Sequence, residues 1–218
     1  MGTEGMDLNQ LGNKSLLRLV EELFVYPRAA DDNYMVTTVD PDTLDAGDNF
    51  TLATLGAAGA IDYPRRITMT LTDGSYDAGA PLELTARVTG HRNGRAVTED
   101  VVGACTDGNA TEFVTDKLFE QVTEIKILHK QTASGDDVIF GIAGTALALK
   151  YGIKSVTDVV SIIENASGTP QTPLAISSTY VDADQSCIQG ISLAVTDIWK
   201  VKYWARTDAG IGSAGVYP

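Results

Sequence analysis

At 218 residues, 44% of them hydrophobic, the chain is long enough to bury a substantial core without disulfides or metals, so its stability calls for no cofactor. Its net charge of −13, from 20 Asp and 9 Glu against 8 Lys and 8 Arg, disfavours nucleic-acid binding, which wants a clustered positive surface. A content of 21 Gly and 24 Thr favours turns and strands over an all-helical fold, and the Asp-rich, Lys-poor balance also suits a saline, halophilic habitat.

Met1–Gln10 is polar with no apolar core, so neither a secretory signal nor a membrane anchor is expected there, residues 1–12 read as a flexible arm, and no window of the chain reaches a membrane span. Leu16, Leu17, Val20, Leu23 and Phe24 then recur at helical spacing, which predicts a short amphipathic helix ended by Pro27. Residues 1–26 thus read as an arm and helix.

Residues 27–131 read as a first β-sandwich region. From Ala29 to Ala60 the chain is acidic and reads as a loop with one edge strand, Asn49–Leu55. Asp40, Asp42, Asp45 and Asp48 raise the question of a bound cation, but the ligand spacing that ends in a bidentate Glu is missing, so no metal site is assigned. Next, Ile67, Met69 and Leu71 alternate with Thr68, Thr70 and Thr72, the pattern of a half-exposed strand. Leu82, Leu84, Ala86 and Val88 alternate with Glu83, Thr85, Arg87 and Thr89 in the same way. Asn93-Gly94 is a strong hairpin signal because both residues tolerate positive φ, and it predicts a return strand over Ala96–Val102. Glu112–Lys130 holds two further stretches, with a change of phase near Glu124 that predicts a bulge.

Residues 132–206 read as a second β region, within the same domain or separate from it. Strands are expected at Val138–Ile142, Val156–Glu164, Leu174–Tyr180 and Ile188–Arg206. In the last, Trp199, Val201 and Tyr203 alternate with Lys200, Lys202 and Trp204. Residues 207–218, rich in Gly and Ala, read as a flexible tail.

No catalytic constellation emerges. His91 and His129 are the only histidines, and neither has a metal spacing or a nucleophile beside it. Cys105 and Cys187 form no CxxC and read as free, packed thiols. The adjacent pair Arg65-Arg66 and the looser group Arg87, Arg92 and Arg95 read as solvated strand ends, and so do the acidic pairs Asp31-Asp32, Glu99-Asp100 and Asp136-Asp137. Four Asn-x-Ser/Thr sequons, at Asn13, Asn49, Asn109 and Asn165, are expected by chance in a Thr-rich chain.

One stretch carries a family likeness. Tyr63–Thr72 (YPRRITMTLT), Leu82–Gly90 (LELTARVTG), the Asn93-Gly94 turn and Ala96–Val101 (AVTEDV) resemble a pattern common in tailed-virus virion proteins, "PRN(I/V)TVT" followed by "VTGTDxxGxxVTE". Thr115–Phe119 (TDKLF) with Val122–Ile125 (VTEI) is similar to the next element of those proteins. Ala146–Gly152 (ALALKYG) and Ser155–Val160 (SVTDVV) are similar to their "LGLPY…ASDV" continuation. Arg66 stands where Asn is usual, His91-Arg92 fills the usual polar loop, and nothing before Tyr63 has a counterpart.

The resemblance, which covers about half the chain, implies an all-β sandwich on a virus particle, at the capsid surface or the head-tail region. The leading expectation is a capsid decoration protein, a homo-oligomer that contacts the major capsid protein, with no nucleic-acid or membrane partner. Leu16, Leu17, Val20, Leu23, Phe24, Trp199 and Trp204 are its candidate contact residues. A neck or tail component is the alternative, and an adhesive carbohydrate-binding module that stacks sugars on Trp199, Tyr203 and Trp204 is a second.

Overall fold

A computed structural model describes residues 16–51, 54–74, 81–106, 108–132, 135–166, 169–170 and 173–207. In chain order the strands are β1 (Leu16–Val25), β2 (Asp31–Val39), β3 (Asn49–Thr51), β4 (Ala60–Arg65), β5 (Ile67–Thr72), β6 (Leu82–Arg92), β7 (Arg95–Cys105) and β8 (Thr111–Val114). They continue with β9 (Phe119–Gln131), β10 (Asp137–Ile142), β11 (Ala146–Ala148), β12 (Val159–Ala166), β13 (Thr169–Pro170), β14 (Val181–Asp182), β15 (Cys187–Gln189) and β16 (Ile198–Thr207). Helical structure among the described residues is confined to short 3-10 turns, so the fold is all-β and of sandwich type.

The long β6–β7 hairpin forms where expected. Asn93 and Gly94 take φ of 50° and 72°, the pair of left-handed residues that matches the twist of the flanking strands. The inward residues Leu82, Leu84, Ala86 and Val88 are fully buried. Pairing of β6 with β9 shifts register between Thr89–Glu124 and Gly90–Val122, which leaves Thr123 as the extra residue of the expected bulge.

Two sheets share the first core: β2-β10-β5-β8, and β3-β9-β6-β7 with β4 also on β9. Gly103 of β7 lies where a Cβ would sit 2.6 Å from the Phe113 ring and 2.9 Å from Met69, so the two sheets meet there at the closest spacing side chains allow. β5 is covered on both faces, because Thr68 and Thr70 are as buried as Ile67, Met69 and Leu71. It is a central strand, not the half-exposed one its alternation predicts.

Two other sheets, β1-β16-β12-β13 and β11-β15-β14, share a second core around Phe24, Leu147, Ile162, Ile188, Trp199, Val201 and Tyr203. This division departs from the expected boundaries. β10, beyond residue 132, belongs to the first core, and the chain before Pro27 contributes a strand to the second.

The predicted N-terminal helix is a strand. Leu16 to Val25 pairs in unbroken antiparallel register with Thr207 to Ile198. Leucines and valines in the order LLRLVEELFV satisfy a 3.6 period and a 2 period alike, and the long-range ladder to β16 decides between them. β2 forms within the acidic stretch expected to be loop. Leu174–Tyr180 forms no strand, and Ile188–Arg206 divides into β15, a connection and β16.

Candidate functional site

Alternation along β1 sends Phe24 into the second core at 1% exposure and leaves Leu19, Leu23 and Val25 on the other face, 45%, 54% and 44% exposed. β16 repeats this with Trp199 and Tyr203 buried and Trp204 on the outer side, 39% exposed. Leu19 faces Trp204, Glu21 faces Lys202, Leu23 faces Lys200 and Val25 faces Ile198. In β12 the register shifts between Val159 and Ser161, so Val160 is an extra residue; it is 48% exposed.

The outer face of this sheet is therefore apolar at both ends and ionic in the middle. Glu21 bridges Lys200 at 3.0 Å and Lys202 at 3.2 Å, and the two ammonium groups, Lys200 first, hold its carboxyl below the usual range. Each of these side chains remains about as open to water as the neighbouring apolar ones, so the bridge adds little stability. It places one carboxylate and two ammonium groups between two apolar patches.

On the inner side of β1, Glu22 accepts the Lys150 main-chain N–H at 3.0 Å and the Tyr203 hydroxyl at 2.9 Å. Burial pushes its carboxyl up against the pull of those two bonds. One edge of β1 ends at Tyr63, whose hydroxyl accepts from Val25 N–H at 2.8 Å, donates to Val25 C=O at 3.1 Å, and whose ring meets Phe24 edge-on.

Of the candidate contact residues, Leu23 and Trp204 are on this exposed face. Val20 is half-buried, and Phe24 and Trp199 are core residues, a correction that follows from strand in place of helix. The side chains of Leu16 and Leu17 lie outside the described residues. The three-ring sugar platform does not form, because Trp199 and Tyr203 point inward and Trp204 outward. Leu19, Val25 and Val160 were missed. Their signal is the two-residue alternation of β1 and the unpaired valine at the start of β12.

A second feature is a cleft of about 240 Å³ where the β6–β7 hairpin meets the turn before β15, lined in part by Arg92, Arg95, Lys117 and Gln185. Arg92 is buried here and donates to the Gln185 carbonyl at 2.8 Å, while Lys117 Nζ donates to the Thr98 carbonyl at 2.9 Å. Arg65 is likewise not a solvated strand end. It is fully buried, donates to the Arg28 carbonyl and pairs with Asp62 at 2.6 Å, and burial lowers its pKa. Asp136, also buried, accepts Gly74 N–H at 3.2 Å.

The aspartates before β3 organise turns. Asp40 accepts Asp42 N–H and Asp48 accepts Asp45 N–H, both at 2.8 Å. Among the described residues no cluster of His, Cys, Asp and Glu has the arrangement to hold a metal. His91 and His129 are both exposed. Cys105 and Cys187 are buried and form no disulfide, and burial pushes the Cys187 thiol up to about 12. No described helix is long and apolar enough to cross a membrane.

No family model, curated protein or solved structure matches the chain.

Proposed function

We propose that this protein is a structural subunit of a virus particle, a capsid decoration protein that binds the outer shell as a homo-oligomer through the β1-β16-β12 face. The observation that carries the reading is the outer face itself. Leu19, Leu23, Val25, Val160 and Trp204 stand exposed on one sheet of an otherwise strongly acidic chain. Exposed apolar residues gathered on one face mark a protein contact, and an aromatic beside aliphatic residues is the usual composition of its centre. The likeness of Tyr63–Thr72, Leu82–Gly90, Ala96–Val101, Ala146–Gly152 and Ser155–Val160 to segments of virion proteins supports the choice of partner.

The test is binding to shells that lack the protein. Purified protein is expected to co-sediment with such shells in many copies per particle, and a Leu23→Asp, Trp204→Asp variant with unchanged circular dichroism is expected to stay in the supernatant. A variant that still co-sediments would remove the outer face from the reading. A stoichiometry of one ring per particle would move the protein to the neck or tail.

A further inference from the structure

β1 pairs with β16 along its whole length, and among the described residues no strand pairs with the other edge of β1. Two hydrogen bonds near its end fix which residues face that edge. Tyr26 N–H donates to the Asp197 carbonyl on the β16 side, whereas Val25 N–H points away, to Tyr63. An antiparallel ladder alternates residues bonded toward the partner with residues bonded away from it. Leu17, Leu19, Glu21 and Leu23 therefore carry their N–H and C=O groups on the open edge, and Tyr63 closes the edge beyond them at Val25.

We propose that a second copy of this chain occupies the open edge, β1 against β1 in antiparallel register, about a two-fold axis at Val20. The inference rests on the reading that this sheet is the assembly surface, and adds the partner strand and its register. A two-fold perpendicular to the sheet keeps both outer faces on one side, so the Leu19–Trp204 and Leu23 patches of two copies join into one surface.

Two independent features select the register. An axis at Val20 pairs Leu17 with Leu23 and Leu19 with Glu21 through their open main-chain groups, and it stops short of the Val25 groups that Tyr63 holds. Charge selects the same axis. It sets Arg18, exposed, opposite Glu22 of the other copy, whose own hydrogen-bond donors are both neutral. Moving the axis to Glu21 would set two glutamates face to face and require Val25, which Tyr63 already holds. Moving it to Leu19 would set Arg18 opposite Val20 and leave Glu22 without a cation across the seam.

Single-cysteine trapping on the full chain tests this. With the axis at Val20, two Val20→Cys side chains face each other at a non-hydrogen-bonded position, where Cβ atoms are about 4.5–5.5 Å apart and a disulfide closes with little movement. Mild oxidation is expected to convert Val20→Cys to a covalent dimer and to leave Leu19→Cys and Glu21→Cys monomeric on a non-reducing gel. The native thiols are buried and serve as the background control. Because Val20 is half-buried, a second variant reads the charge term at an exposed site. Arg18→Glu is expected to raise the dimer dissociation constant about tenfold in sedimentation equilibrium.

Trapping at Leu19→Cys or Glu21→Cys in place of Val20→Cys overturns the register. A wild-type protein that stays monomeric at high concentration, or an Arg18→Glu variant that dimerises as well as wild type, overturns the pairing. If shells still bind the protein in either case, the decoration role stands and the β1 seam alone falls.

Discussion

The Tyr63 hydroxyl holds both main-chain groups of Val25, and so one residue of β4 stands in for a neighbouring strand at the end of β1. Tyr63→Phe keeps the edge-on contact with Phe24 and deletes both hydrogen bonds. The expected cost is about 1 kcal/mol, read as a lower urea midpoint at unchanged slope. An unchanged midpoint would mean that water replaces the hydroxyl at no cost.

Arg65 carries a fully buried guanidinium. Its guanidinium reaches the Arg28 carbonyl and Asp62, and its Nε has no hydrogen-bond partner among the described residues. Arg65→Ala leaves a cavity in place of a fully buried side chain and removes the donor of the Arg28 carbonyl, and a loss of about 3 kcal/mol in denaturant unfolding is expected. Arg65→Lys recovers the charge but not the forked geometry, so it falls between the two.

Glu164 titrates above the usual carboxylate range, from burial first and from the charge and hydrogen bond of Asp197 second. A raised folded pKa means that the folded state holds the proton more tightly. The stability this provides is complete below the unfolded value of about 4.3 and is lost as pH rises through the folded one. Glu164→Gln is therefore expected to melt higher than wild type at pH 7 to 8, with the gap closing toward pH 4. A gap that grows toward acid would contradict the sign.

Both thiols should be silent in the native protein. Cys187 is fully buried with its pKa near 12, and Cys105 is buried with its Sγ 3.3 Å from the Asn109 carbonyl. Labelling by an aromatic disulfide reagent is expected to report neither in buffer and both in denaturant. Fast native labelling of either would show that its core opens locally.

What the sequence made legible was local chemistry. Asn93-Gly94 fixes its turn by backbone preference alone, and the bulge at Thr123 announces itself as a change of phase between Val122 and Ile125. What it concealed depends on partners far along the chain. LLRLVEELFV becomes a strand because it pairs with residues 198–207, and Thr68 and Thr70 are buried because β5 lies between β10 and β8. The candidate surface shared this fate. Leu23 and Trp204 were visible as apolar residues, but which of their neighbours joined them was settled only by the parity of β1.

The ladder from Leu16–Thr207 to Val25–Ile198 also sets an order of events during synthesis. The first core is complete once Ile142 has been made, whereas the second waits for β16. At ribosomal speeds of about 5–20 residues per second, the roughly 180 residues that separate β1 from its ladder partner take about 10–35 seconds to make. Throughout that interval the leucines of β1 are exposed on a nascent chain, competing for chaperones and for other copies before the proper mate emerges.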